Sequence, residues 1–308
     1  MNNSNEPKTY SSTRGKYALQ GLLVGQKGAV TCIAVHPLGI FAACGGMRIW
    51  HLPTGKSLLT PTNTADRGIT TAIVWLTKPD DDNDGLAYGT EHGSFASGSG
   101  TRMNTHSGQL AVVHRAEAVH RFVIDGGMSP RTISSITIRD HWPQAVAFGQ
   151  VGVRGPELWT FGREDGVIYI LNDEGKILKA KTTGAVIGHA VLSAKDDAII
   201  LDNVSQGIAL YKLSGTERIR TFQVPHNERR SRNVAFHDGT STIVIGSDHG
   251  RVYEFDRRTG QISDIIDIRV RERVQSIAVW VKVATPLNRP ASRKTFEDGQ
   301  HTDPKTSA

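Results

Sequence analysis

Six arginines are the residues whose grouping most directly suggests chemistry. Arg229, Arg230 and Arg232 stand close together, as do Arg269, Arg271 and Arg273, and only Glu228 and Glu272 accompany them. Grouped guanidinium groups bind carboxylates and phosphates through paired, charge-assisted hydrogen bonds. From Arg229 to Arg273, however, nine arginines meet seven acids, so a solvated surface with local ion pairs is the competing reading. A second grouping has the spacing of a calcium loop: Asp80, Asp82 and Asp84, then Gly85, then Glu91. Oxygen ligands at that spacing suit a hard cation, but such a loop needs a helix on each side. Here Pro79 precedes it and the strand-like Leu86-Ala87-Tyr88 lies inside it, so a solvated acidic hairpin is expected. Gly55-Lys56-Ser57 resembles the end of a phosphate-binding loop but has Trp50 where a glycine is required. His114 and His120 fall on neighbouring predicted strands, where a structural role outweighs metal binding. The nucleophile elbow, the zinc-protease helix and the dinucleotide fingerprint are all missing from the sequence, so no cofactor is expected.

Composition bounds what can hold these groups. The 308 residues carry 36 Lys and Arg against 30 Asp and Glu, a net charge of +6. That tolerates acidic partners without the charge density of a dedicated nucleic-acid binder. Two cysteines, Cys32 and Cys44, cannot build a disulfide framework, and buried thiols in a reducing compartment are expected. Residues 1–16 are polar with no apolar signal core, and the longest apolar run, Val274 to Ala284, is short and contains Lys282. A soluble intracellular protein, cytoplasmic or nuclear, is the expectation.

A repeat of about 44 residues organises the chain. Ile33-Ala34-Val35, Val146-Ala147-Phe148, Val234-Ala235-Phe236 and Ile277-Ala278-Val279 each set a small alanine between larger apolar residues, and Ala190-Val191-Leu192 is a weaker copy. This suits a strand packed on both faces. Gly162-Arg163-Glu164-Asp165-Gly166 and Gly246-Ser247-Asp248-His249-Gly250 keep the same beat as tight acidic turns between strands. Four-strand units at this period predict the blades of a propeller.

The first unit carries the closest family likeness. Ile33-Ala34-Val35-His36-Pro37 leads through Gly45-Gly46 to Arg48-Ile49-Trp50 and Thr54-Gly55-Lys56, which resembles the WD-repeat family over roughly residues 19–283. The family's glycine-histidine pair stands here as Gly25-Gln26, and its tryptophan-aspartate ending as Trp50-His51, Leu171-Asn172 and Phe255-Asp256. The polar tetrad that stiffens typical blades is therefore expected to be incomplete. The resemblance implies a scaffold that binds proteins or peptides.

The expected architecture is all-β: a WD-type propeller of six or seven four-stranded positions, at least one incomplete, over residues 17–283. Residues 1–16 and 284–308 are expected to be disordered, and Leu19 to Val24 to supply a closing strand for the last blade. Gly93 to Ser107 reads as loop, which predicts contracted second and third blades. The six arginines then converge on one rim as a docking surface for an acidic or phosphorylated partner. The rival functions are direct nucleic-acid binding and an enzyme with its site in the central channel. The apolar inner segments argue against the enzyme.

Overall fold

A computed structural model describes residues 11–26, 29–45, 48–58, 68–77, 84–90, 100–104, 108–114, 117–125, 129–152, 155–215, 217–268 and 272–280. Among them the secondary structure is entirely β. After β1 (Ser11–Ser12) comes a four-stranded sheet of β2 (Ile33–Val35), β3 (Phe41–Cys44), β4 (Arg48–His51) and β5 (Lys56–Leu58). A two-stranded sheet follows, β6 (Thr70–Leu76) with β7 (Gly85–Thr90). The third sheet is β8 (Gly100–Asn104), β9 (Gln109–His114), β10 (Ala118–Ile124) and β11 (Pro130–Thr137). The fourth is β12 (Pro143–Gly152), β13 (Gly155–Gly162), β14 (Val167–Leu171) and β15 (Ile177–Thr182). The fifth is β16 (Ile187–Ser193), β17 (Ala198–Asn203), β18 (Gly207–Lys212) and β19 (Arg218–Phe222). The last is β20 (Val234–His237), β21 (Thr242–Gly246), β22 (Arg251–Asp256) and β23 (Ile262–Asp267), with β1 added outside β23.

Every sheet is an antiparallel meander, and the first strand of each sheet packs beside the first strand of the next, from β2 through β6, β8, β12 and β16 to β20. These inner strands circle a common axis, so the sheets stand as propeller blades: five of four strands, with the β6–β7 sheet between the first two. The repeated alanine segments explain why. Small residues at Ala34, Ala147 and Ala235 let inner strands crowd the axis. The second strands β17 and β21 are buried along their whole length, whereas the outer strand β15 is exposed at five of its six residues. Apolar clusters fill the junctions between blades. Trp159, Phe161, Ile199 and Leu201 join the fourth and fifth sheets, and Ile200, Phe222, Ile243 and Phe255 join the fifth and last. Burying one such side chain contributes roughly 1.5–3 kcal/mol, so the wedges between blades hold the ring more than any hairpin does.

Several expectations are corrected here. The third blade is complete, because Gly100–Asn104, inside the expected loop 93–107, pairs with β9 as its innermost strand. Leu19 to Val24 forms no strand and leaves Leu19, Leu22 and Val24 exposed. The added strand comes instead from Ser11–Ser12, inside the segment expected to be disordered, and it pairs with Ile266 and Asp267 of β23. Residues 272–280 form no ladder. They still bridge the ring, since Val274 N–H donates to Ser247 O (2.8 Å) and the Trp280 indole N–H donates to Pro37 O (2.7 Å). Residues 1–10 and 281–308 lie outside the described set.

That indole sits flat against the β2–β3 turn, where Gly39 has φ +68° and a Cβ would come within 2.2 Å of the ring. Gly39→Ala is therefore expected to strain the backbone and push Trp280 off the turn. Urea denaturation should show a loss of roughly 1–3 kcal/mol.

Candidate functional site

The arrangement closest to a catalytic constellation lies in the fourth blade. Just before β12, His141 places Nδ1 2.6 Å from Asp165 Oδ2 and Nε2 3.0 Å from Thr160 Oγ1. In the tautomer with its proton on Nδ1, the ring donates to Asp165 and its Nε2 accepts from the Thr160 hydroxyl. Tyr169 of β14 packs edge-on against the imidazole at 4.8 Å. Hydroxyl, base and carboxylate thus stand in the order used for acyl transfer. His141 and Thr160 are each 0% exposed, however, and no substrate reaches the hydroxyl. The cluster ties the strand entrance, β13 and the β13–β14 turn together. Gly166 makes that turn possible, with φ +60° and no room for a Cβ beside Ala185 O. Thr160→Val should leave Nε2 without a partner and lower stability by about 1–3 kcal/mol, readable in a thermal melt. The last blade has a smaller counterpart. His249 meets Asp248 (2.9 Å) and the Tyr253 hydroxyl (2.9 Å), while Asp248 accepts from the backbone N–H of Asn227 and Glu228.

The arginines divide. Arg229 and Arg230 are exposed, Arg230 in an ion pair with Glu228. Arg232 is turned inward at 8% exposure and clasps Asp202 at the end of β17: its backbone N–H and Nε donate at 2.6 and 3.0 Å, and Nη2 stands 2.9 Å from Oδ1. Burial raises the Asp202 carboxyl, opposed by Arg232 and then Arg273. Arg273 donates to the backbone carbonyl and hydroxyl of Ser231. The expected rim of six therefore shrinks. Two arginines face outward, two are committed to the junction between the last two blades, and Arg269 and Arg271 lie outside the described residues. A physical cause is plain for Arg232: Asp202 ends a strand that is buried throughout, and an anion there requires a cation. The crevice beneath Arg230 and Arg273 has a volume of only about 10 Å³, room for a single water rather than a ligand.

A cavity of about 490 Å³ occupies the central channel. Its wall includes the expected apolar segments but also Thr31, Gln144, His189, Asn233 and Ser276, one or two positions upstream of those segments, and Thr71 of β6. Cys32 and His189 are the only titratable side chains among the described residues that line it. Burial pushes the Cys32 thiol up to about 12, with only partial relief from the hydrogen bond with Thr31, so it stays protonated and weakly nucleophilic at neutral pH. Both cysteines are free and buried.

The described part of the calcium-like loop, from Asp84 to Thr90, is engaged with neighbouring strands. Asp84 turns to His36, Oδ2 to Nε2 3.2 Å, and residues from Gly85 to Thr90 are engaged in pairing with β6. Asp80, Asp82 and Glu91 lie outside the described residues, and among those described no His, Cys, Asp and Glu cluster is placed to hold a metal ion. Lys56 and Ser57 sit in β5 rather than at a helix start. His120 accepts or donates to Ser135 Oγ at 2.9 Å, and the side chain of His114 is outside the described set. No helix of the described residues is long and apolar enough to cross a membrane.

No protein-family model matches this chain, and no curated protein matches it in sequence.

Proposed function

We propose that the chain is a non-catalytic scaffold, a propeller of the WD-repeat type that holds a protein or peptide partner on its exposed loops. The observation that supports this most is the sealing of the His141, Asp165 and Thr160 cluster inside a blade: its hydroxyl–base–acid series is buried and ties strands together. With Tyr169 it forms a polar group of four of the kind that stiffens WD blades, which favours that family reading. In this reading the ring has six or seven positions. Among the described residues the β6–β7 sheet is an incomplete blade, and residues 272–280, which line the channel without a ladder, stand at the inner position of a further one. Exposed loops on a rigid ring are where recognition is carried. Two free buried thiols suit a reducing, intracellular compartment.

Arg229 and Arg230 anchor the partner. They are exposed, adjacent and opposed only locally by Glu228. Their chemistry favours an acidic or phosphorylated peptide. A phosphate backbone is the competing occupant. Affinity capture from native extract, comparing the wild type with R229E/R230E, tests this. A nuclease-resistant partner retained by the wild type alone supports the reading. A partner released by nuclease moves it to nucleic acid, and identical captures remove the arginine anchor. Because both side chains are exposed, the melting temperature of R229E/R230E should stay close to that of the wild type.

A further inference from the structure

Two carboxylates face each other across the outer half of the last blade. Glu254 of β22 and Asp264 of β23 are directly paired in the ladder, and both are 0% exposed. Like charges opposite one another in a sheet oppose folding unless cations and donors meet them. Most of those donors come from the far end of the sequence, the Ile265 backbone N–H of the blade itself adding one to Asp264 at 2.7 Å. Ser12 Oγ donates to Asp264, and so do Thr13 Oγ1 (2.8 Å) and Arg14 N–H (3.1 Å). Lys16 Nζ reaches both oxygens of Glu254 at 2.8 and 2.9 Å, and the Tyr17 hydroxyl donates to Oε1 at 2.6 Å. The last blade's own side chains add the Ser263 hydroxyl at 2.7 Å and the neighbouring His237 at 3.3 Å.

The backbone hold on this segment is slight. Among the described residues Ser11 and Ser12 are its whole ladder with β23, extended by Thr13 N–H donating to Ile265 O (3.0 Å). Residues 18–26 then run on without a strand. Residues 11–17 can therefore leave without disturbing another ladder, and their departure uncovers both a strand edge and an acidic pair shaped for them.

We propose that the edge of β23 with Asp264 and Glu254 is an exchangeable peptide-binding site, and that its ligand in trans is the 11–17 segment of a second copy of this chain. The complementary chemistry is already seated in the site: two hydroxyls for Asp264, then a lysine and a tyrosine for Glu254. Strand addition supplies the direction and the paired acids supply the register. A second copy carries the same segment on the same free connection, so reciprocal exchange closes two rings in place of one. This site is independent of the arginine anchor and has the opposite charge preference.

Two full-length variants test it. The acceptor, S12A/T13A/K16A/Y17F, keeps both acids but has a disabled segment. The donor, E254Q/D264N, keeps the segment but has a disabled site. Each alone should be monomeric, and mixing them should give a one-to-one complex by light scattering. Disabling the acceptor's own site as well, by adding E254Q to it, should weaken that complex at least tenfold. Folded variants that fail to associate at any accessible concentration overturn the proposal. Should the acceptor fail to fold, an isotopically heavy peptide of residues 10–18 is incubated with the wild type and treated with a carbodiimide. Heavy Lys16 joined to Glu254 by an amide supports exchange, and cross-links from the protein's own light segment alone, even at millimolar peptide, overturn it.

Discussion

Replacing Arg232 by alanine should destabilise the protein by about 3–5 kcal/mol. The guanidinium and the carboxylate of Asp202 are both withdrawn from water, at 8% and 0% exposure. Removing the cation leaves Asp202 at the blade junction without its principal counter-charge. Arg273, whose hydrogen bonds go to Ser231, assists only at a distance. The loss also frees Asn203 O, which accepts from Arg232 Nη2 at 3.3 Å. Denaturant unfolding of R232A and of the double variant R232M/D202L separates the parts. If burial without a partner is the cause, the double variant recovers much of the stability, because replacing both charges by apolar groups is close to neutral. Equal losses in both would mean that shape at the junction, rather than charge, sets the cost.

The second large effect is a pH dependence written into the N-terminal segment. Burial raises the Glu254 carboxyl, but hydrogen bonds from Lys16, Tyr17 and Ser263 outweigh it and hold the group down at about 2. Asp264 is likewise held at about 2, its burial outweighed by Ser12, Thr13 and two backbone amides. Tyr17 moves the other way: burial and then its bond to Glu254 raise the phenol, so it remains a donor throughout the accessible range. Carboxyls with depressed values stabilise the folded state fully above their ordinary range. That stability is lost as pH falls from about 4.5 toward 2, and for the pair it is on the order of 3–5 kcal/mol. The wild type should therefore exceed E254Q/D264N in melting temperature at pH 6, and the difference should close progressively below pH 4.5. A constant gap down to pH 2 would mean that the acids are not ionised partners of the segment.

Much of this fold was legible because it rests on repetition and small residues. The alanine-centred segments at Ile33, Val146 and Val234 lie on β2, β12 and β20, all innermost strands, and the acidic turns at Gly162 and Gly246 are the turns between second and third strands. Ring closure was not legible. A hydrophobic reading favours Leu19 to Val24, whereas the segment that docks is hydroxyl-rich and is drawn to carboxylates about 250 residues away. Gly100–Asn104 escaped for a related reason. Its membership of a blade comes from backbone pairing to β9, and its sequence shows no alternation of apolar residues. For the candidate site, the inward turn of Arg232 had a signal that went unused: the acid of Ala198-Ile199-Ile200-Leu201-Asp202 in an otherwise apolar strand announces a buried cation nearby. His141 carried no comparable mark, since its partners Thr160 and Asp165 meet it only once β12 and β13 are paired.

In the proposed reading the exposed pair Arg229 and Arg230 recognises negative charge on a partner while the buried polar groups serve the fold. Titration of a phosphoserine-rich peptide into wild type and R229E/R230E, at low and at physiological salt, tests it most directly. The affinity is expected to be at least tenfold weaker in the variant, with the difference narrowing as salt rises and the melting temperature unchanged. Equal affinities, or no binding to the wild type even at low salt, would contradict it.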